Sequence, residues 1–400
     1  MSRLFRDLGY LCCGACIAAA ACQDGGAGST GVSYLPSDSL QPGEFVRVAL
    51  ESPTAESYDW SISTAPAAAS YTLASDGARA VFRGRTPGDY VLRAVPVAGG
   101  SGSDAQTAAL RVAEPSCQPL RGTVIGITGC CPNRFVHVDP CTGGLTALAD
   151  VGDSAVGFPQ GIYAVDPEAR RLYLQRDEGG ELHLLGINAD TGAEVVNFVL
   201  AGHGLAMIEV DAGAGGLFGV TAGAEARLQR IDPDAGTVTD VGFLGSGEGT
   251  PQGVYAVDPE QHRLYFLGDG GTGNQHLVAV DTRTAAEVLD VVLSVHGLMT
   301  LRFDPTARLL FGVTGCCPNE FATLDPSTGA VEPLTILGDS TVGFPQGIDG
   351  VTPGEHRFLI ERDQEGVLHL IAVDTRSGSQ TSSVPLEGNG LIVLDYVPAP

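Results

Sequence analysis

The chain has 400 residues and a formal net charge of −25, and all 22 of its basic residues are arginine. So acidic a surface excludes nucleic-acid binding, which rests on cationic contacts to phosphate, and disfavours lying flat on anionic lipid; it suits solubility, a basic partner or an associated cation. Fifty-five glycines and a charged fraction of 17% fit many short strands and tight turns, and no helical periodicity is sustained beyond the first residues.

Arg3 and Arg6 precede an apolar, small-residue run over 9–21. That run is short of the roughly 20 apolar residues a spanning helix needs and predicts a signal-peptide core. Ala19-Ala20-Ala21-Cys22 follows. It resembles the lipobox of bacterial lipoproteins, with Ala19 where that family usually carries Leu. The resemblance implies a signal peptide over 1–21, a lipid on Cys22 and an exported, lipid-anchored place in the bacterial cell envelope, with the membrane touched through the anchor alone. Residues 22–31 are rich in glycine and read as a flexible tether.

Residues 32–114 predict a small all-β sandwich. The segments 45–50, 58–62, 79–82, 90–95 and 107–112 alternate apolar and polar residues, as half-buried strands do. The only tryptophan, Trp60, lies in the second of them, and Thr86-Pro87-Gly88-Asp89-Tyr90 turns into the fourth. These features resemble bacterial Ig-like and PKD-type domains, without the antibody-type cysteine pair. The expected role is a spacer or docking module, joined by a linker over 115–121.

The remainder, 122–400, repeats. Gln160, Gln252 and Gln346 recur in a Pro-Gln-Gly context, His183, His276 and His369 recur every 93 residues, and so do His203, His296 and Asn389. Each unit divides into halves of the same order: strand, Asp-Pro turn, strand, loop, strand, Thr-Gly-type turn, strand. Four strands in ~40–50 residues make a propeller blade, so three double units predict six blades. The first half opens on its second strand, at Thr123, and the missing first strand is found at 391–396. The expected fold is all-β: a six-bladed β-propeller whose C-terminal strand closes blade 1, preceded by the sandwich. A β-solenoid is the competitor, but it would not need the displaced last strand. The pattern resembles six-bladed propellers of the NHL, YVTN and SMP-30 type. That resemblance speaks to fold far more than to activity.

Candidate site residues lie in the loops expected at one rim. Gln160, Gln252, Gln346, His203, His296 and Asn389 are ligand-rim candidates, each with a bland alternative in turn or loop packing; Asp153 and Asp339 add charge nearby. His183, His276 and His369 are expected to be packing residues. Thr128-Gly129-Cys130-Cys131-Pro132-Asn133 returns as Thr314-Gly315-Cys316-Cys317-Pro318-Asn319. Six cysteines follow Cys22, and an even count in an exported chain predicts disulfides: Cys130–Cys131 and Cys316–Cys317 as vicinal bonds, and Cys117–Cys141. The vicinal pairs would stiffen a loop, with a ligand-contacting lid or redox chemistry as alternatives. Gly268-x-Gly270-x-x-Gly273 matches a dinucleotide fingerprint by letter only, because no helix follows it.

Two functions fit. The first is a binding or scaffold module for a protein, glycan or small ligand at that rim, with no cofactor and no catalytic residue. The second, implied by the resemblance to SMP-30-type propellers, is a metal-dependent lactonase or esterase at the axis. Calcium or another divalent metal is a possible structural ion, through loops such as Asp269-Gly270-Gly271.

Overall fold

In a computed structural model of the chain, the residues described are 31–400 except 98–104, 115–116, 130–131, 153–155, 160, 202–203, 224, 245–253, 269–274, 295–296, 316–317, 339–341, 345–346, 365 and 389. The expected signal peptide, Cys22, all six rim candidates, Asp153, Asp339, the loop at Asp269 and both Cys-Cys pairs therefore lie outside the described residues.

The described residues form eight sheets. The first two contain β1 (Val32–Leu35), β2 (Ser39–Leu40), β3 (Phe45–Leu50), β4 (Tyr58–Thr64), β5 (Tyr71–Asp76), β6 (Arg79–Gly84), β7 (Gly88–Pro96) and β8 (Gln106–Val112). Their orders are β1-β3-β6-β5 and β2-β8-β7-β4. Alternation along β7 and β8 turns Tyr90, Leu92, Ala94, Leu110 and Val112 toward Val46, Val48 and Phe82 of the other sheet, giving one shared core. Tyr90 also donates its hydroxyl to Thr86 O, 2.7 Å away, which pins the turn into its own strand.

Six sheets follow in chain order. Sheet one holds β9 (Thr123–Thr128), β10 (Asn133–Val138) and β11 (Leu145–Gly152); sheet two holds β12 (Val156–Gly157), β13 (Tyr163–Asp166), β14 (Arg171–Glu178), β15 (Glu181–Asn188) and β16 (Glu194–Val199). Sheet three holds β17 (Leu205–Asp211), β18 (Gly216–Thr221), β19 (Arg227–Asp232) and β20 (Thr237–Phe243), and sheet four β21 (Tyr255–Asp258), β22 (Arg263–Gly268), β23 (His276–Asp281) and β24 (Glu287–Val292). Sheet five holds β25 (Leu298–Asp304), β26 (Leu309–Thr314), β27 (Asn319–Asp325) and β28 (Ala330–Gly338); sheet six holds β29 (Val342–Gly343), β30 (Asp349–Thr352), β31 (Arg357–Gln364), β32 (Val367–Asp374) and β33 (Gln380–Pro385). The last strand, β34 (Leu391–Val397), returns to sheet one and pairs antiparallel with β9, Leu391 opposite Thr128 and Val397 opposite Thr123. The expected C-terminal closure is thus present, and it removes an edge that would otherwise be open to pairing.

The six sheets are propeller-like. Their inner strands touch in a closed cycle, β34, β13, β17, β21, β25, β30 and back to β34. The hydrophobic core is correspondingly divided into six clusters, each lying between neighbouring sheets. Both faces of an interior sheet are covered, which is why β18 and β26 read as near-continuous apolar runs instead of strict alternation.

Turn chemistry explains the sequence punctuation. Asp166, Asp258 and Asp304 each accept two backbone N–H bonds from the turn that follows. The turns from third to fourth strand place Gly143, Gly192, Gly236, Gly329 and Gly378 in the left-handed region; in sheet four that place is held by Ala285 at φ 58°.

The amino-terminal sheets are docked on the rest. Phe45 joins the aromatic cluster of Phe311, Phe321 and Phe358 between sheets five and six. Arg47 forms an ion pair with Glu320, and Gln380 N donates to the Glu44 carboxylate at 2.8 Å. The connection is strapped as well. Cys117 and Cys141 form the expected disulfide, Arg357 donates to Gln118 at 2.7 and 2.9 Å, and Arg121 N donates to Glu355 at 2.8 Å.

Candidate functional site: the axial ring

The inner strands carry a set of chemically unlike residues at equivalent places. Glu209, Arg302 and Asp395 stand 93 residues apart on β17, β25 and β34; Tyr163, Tyr255 and Asp349 stand 92 and 94 apart on β13, β21 and β30. Together they form a ring around the axis.

Arg302 is its cation. Its Nε donates to Asp349 Oδ1, and its Nη1 lies 3.6 Å from Glu209 Oε1. Its guanidinium also sits 5.7 Å from the Tyr163 ring centre and 6.0 Å from that of Tyr255. Burial works against its charge, but Asp349, Tyr163, Glu209 and Asp395 outweigh it, so its pKa is raised well above the ordinary value.

The tyrosines tie the ring across sheets. Tyr163 Oη lies 2.9 Å from Leu394 O and from Asp349 O, and 3.0 Å from Gly347 O. Tyr255 Oη is 2.8 Å from Gly161 O and 3.4 Å from Ile208 N. One hydroxyl proton serves several acceptors here, so each tyrosine joins three sheets at a single point.

The carboxyl groups outnumber the cation. Asp349 is fully buried, and its Oδ2 has no hydrogen-bond partner. The side chain of Glu209 keeps 19% exposure. Burial, only partly offset by Arg302, raises Glu209 and Asp395 to about 7, and it raises Asp349 as well.

A second repeated constellation lies two residues further along the inner strands. Buried Asp211 accepts from Thr282 Oγ1 at 2.6 Å and lies 3.1 Å from His262 Nδ1. Asp304 does the same with Thr375 at 2.9 Å and His356 at 3.0 Å. The residue types suggest a nucleophile, base and orienting acid. The wiring differs: hydroxyl and imidazole both bond the carboxylate, whereas activation needs the hydroxyl on the imidazole. These groups staple neighbouring sheets.

The repeated histidines expected to pack do make repeated cross-strand contacts. His183 Nδ1 meets Asn197 at 2.7 Å, His276 Nδ1 meets Asp290 at 2.6 Å, and Ser383 Oγ lies 3.2 Å from His369 Nδ1. A metal fits poorly at the axis. Among the described residues no three His, Cys, Asp or Glu side chains converge on a metal-sized point, and a guanidinium stands between the carboxylates.

Repetition of identical residues does not mark the axial ring. The 93-residue spacing joins Glu209, Arg302 and Asp395, but a search for repeated identical residues passes over a position that changes from acid to base.

No family model matches the sequence, and no curated protein matches it. Solved structures do resemble it. TolB from Acinetobacter baumannii superposes with a TM-score of 0.54 at 12% identity, covering 85% of this chain and 83% of that one. A quinoprotein alcohol dehydrogenase-like protein from Bacteroides thetaiotaomicron gives 0.44 at 11% identity, covering 87% and 93%. A chain of a nidogen–laminin complex gives 0.48 at 13%, covering 69% and 98%. At such identity the likeness concerns fold alone: the chain is structurally similar to β-propeller proteins.

Proposed function

We propose that the chain is an exported lipoprotein whose six-bladed propeller, carried with an Ig-like sandwich, acts as a binding or scaffold module and not as an enzyme. The observation that supports it best is the axial ring. The place where a propeller hydrolase would hold an ion and its substrate is occupied by Arg302, bonded to Asp349 and stacked between two tyrosines. In this reading the ligand, a protein, glycan or small molecule, would be taken at the rim expected from the Cys-Cys, Pro-Gln-Gly and Gly-His-Gly loops. The docked sandwich fits a module that carries the propeller as one piece.

Two measurements test this reading. Cells fed labelled fatty acid should label the wild-type chain and place it in the membrane fraction, whereas Cys22→Ala should be unlabelled and soluble; unchanged fractionation sinks the anchor. Lactone and ester hydrolysis should stay at background with calcium, zinc or manganese supplied. Metal-dependent turnover lost on Glu209→Gln would overturn the non-enzymatic assignment.

A further inference from the structure

We propose that the axial ring is a proton-linked lock: Glu209 and Asp395 take up protons as the inner strands close around Arg302, so that mild acid tightens the axis and alkaline conditions loosen it. The inference goes beyond the binding role and does not depend on it.

The argument begins with charge balance. Three carboxyl groups, Glu209, Asp349 and Asp395, face one cation. Asp349 holds Arg302 directly through its Oδ1 and is fully buried, so it is the partner that neutralises the guanidinium. If Glu209 and Asp395 were both ionised, the ring would carry two uncompensated negative charges in a poorly hydrated space, where like charges repel strongly. Each has one adjacent backbone donor, which offsets less than burial costs. Asp395 accepts from its neighbour Tyr396 N at 2.8 Å, and Glu209 from its neighbour Val210 N at 3.3 Å. Two neutral groups relieve the imbalance, and protonation supplies them.

The other charged groups nearby are committed elsewhere. Tyr163 and Tyr255 are neutral, and burial pushes both upward. Asp211 and Asp304, two residues along β17 and β25, bind His262 and His356. Behind the ring, Arg176 on β14 pairs with Glu178 and Glu194, while Glu361 on β31 accepts from Leu391 N at 2.8 Å. Among the described residues, the one cation that faces the two acids is Arg302.

The direction follows from linkage. A carboxyl whose folded pKa stands near 7, against about 4 when unfolded, binds more protons in the folded state between those values. Its contribution is complete below about pH 4 and is lost as pH rises through about 7. Glu44 and Glu361 are raised in the same way, also by burial. His369 is lowered to about 4, chiefly by burial, and acts in the opposite sense below about pH 6. These three must cancel for the ring to be read by itself.

The test compares wild type with Glu209→Gln/Asp395→Asn, which keeps shape and removes only the two titrations. Denaturant unfolding between about pH 5 and pH 8 should show the wild-type folding constant falling by about tenfold or more beyond that of the double variant. Infrared spectra near pH 6 should show more protonated-carboxyl absorbance in the wild type than in the variant, which keeps the contribution of Glu44 and Glu361. If the double variant does not fold, each single amide variant should flatten part of the slope. Parallel pH curves, or an unchanged protonated-carboxyl band, would overturn the proposal.

Discussion

At the scale of the residue, Arg302 concentrates the risk in this molecule. It bonds one buried carboxylate, approaches a second and stacks near two tyrosines. Removing one member of a buried charge cluster leaves the others uncompensated, which costs about 3–5 kcal/mol. Arg302→Met should lower the unfolding midpoint accordingly at pH 8 and less at pH 5, where protons can replace the lost cation. Equal destabilisation at both pH values would mean that packing, not charge, is what the arginine supplies. Such a residue is hard to find by reading. Asp166 and Asp304 announce their roles because Pro follows them and turns need their carboxylates. Arg302 sits in a strand that reads Leu-Arg-Phe-Asp, and nothing local says that its neighbours in space are Glu209 and Asp395.

At the scale of the element, the repeat is the legible part. Asp-Pro and Thr-Gly pairs mark the turns, and the 93-residue spacing gives order and closure, because local backbone chemistry is written in local residues. The turns also give a sharp contrast. Gly329 lies at φ 72°, and a Cβ there would come within 2.1 Å of Val292 O in the neighbouring sheet. Gly329→Ala is therefore expected to destabilise by more than about 1 kcal/mol, through both conformation and contact. Ala285 is the same turn position built with a side chain at φ 58°. Ala285→Gly should be neutral or stabilising by up to about 1 kcal/mol. Thermal unfolding of both variants checks the pair. Opposite signs at equivalent positions are expected; loss of stability in both would show that the Ala285 methyl group packs for more than its strain costs.

At the scale of the whole molecule, the amino-terminal sheets and the propeller-like sheets share a core. Phe45 is buried to 1% exposure among Phe311, Phe321 and Phe358, and the neighbouring Glu44 is bonded to Gln380. In the sequence, 45–50 reads as an ordinary half-buried strand, since alternation reports one covered face and is silent about which partner covers the other. Phe45→Ala should cost about 3–5 kcal/mol at that seam. Calorimetry should then resolve two unfolding transitions where the wild type gives one. A single transition shifted downward would mean that the two parts remain coupled through the strapped connection.

That connection bears on how the molecule carries load. Thr123 and Val397 face each other at one end of the β9–β34 pairing, so a pull entering along the chain from the amino-terminal side meets that seam in its weakest direction, peeling its hydrogen bonds one after another. The Cys117–Cys141 bridge lies upstream of the seam and is fastened to the turn between β10 and β11. Tension is diverted there through a covalent bond into the outer half of sheet one, on the side away from β34. The closing strand is left unstressed, and the ring can stay shut while the chain is tugged by its leading end.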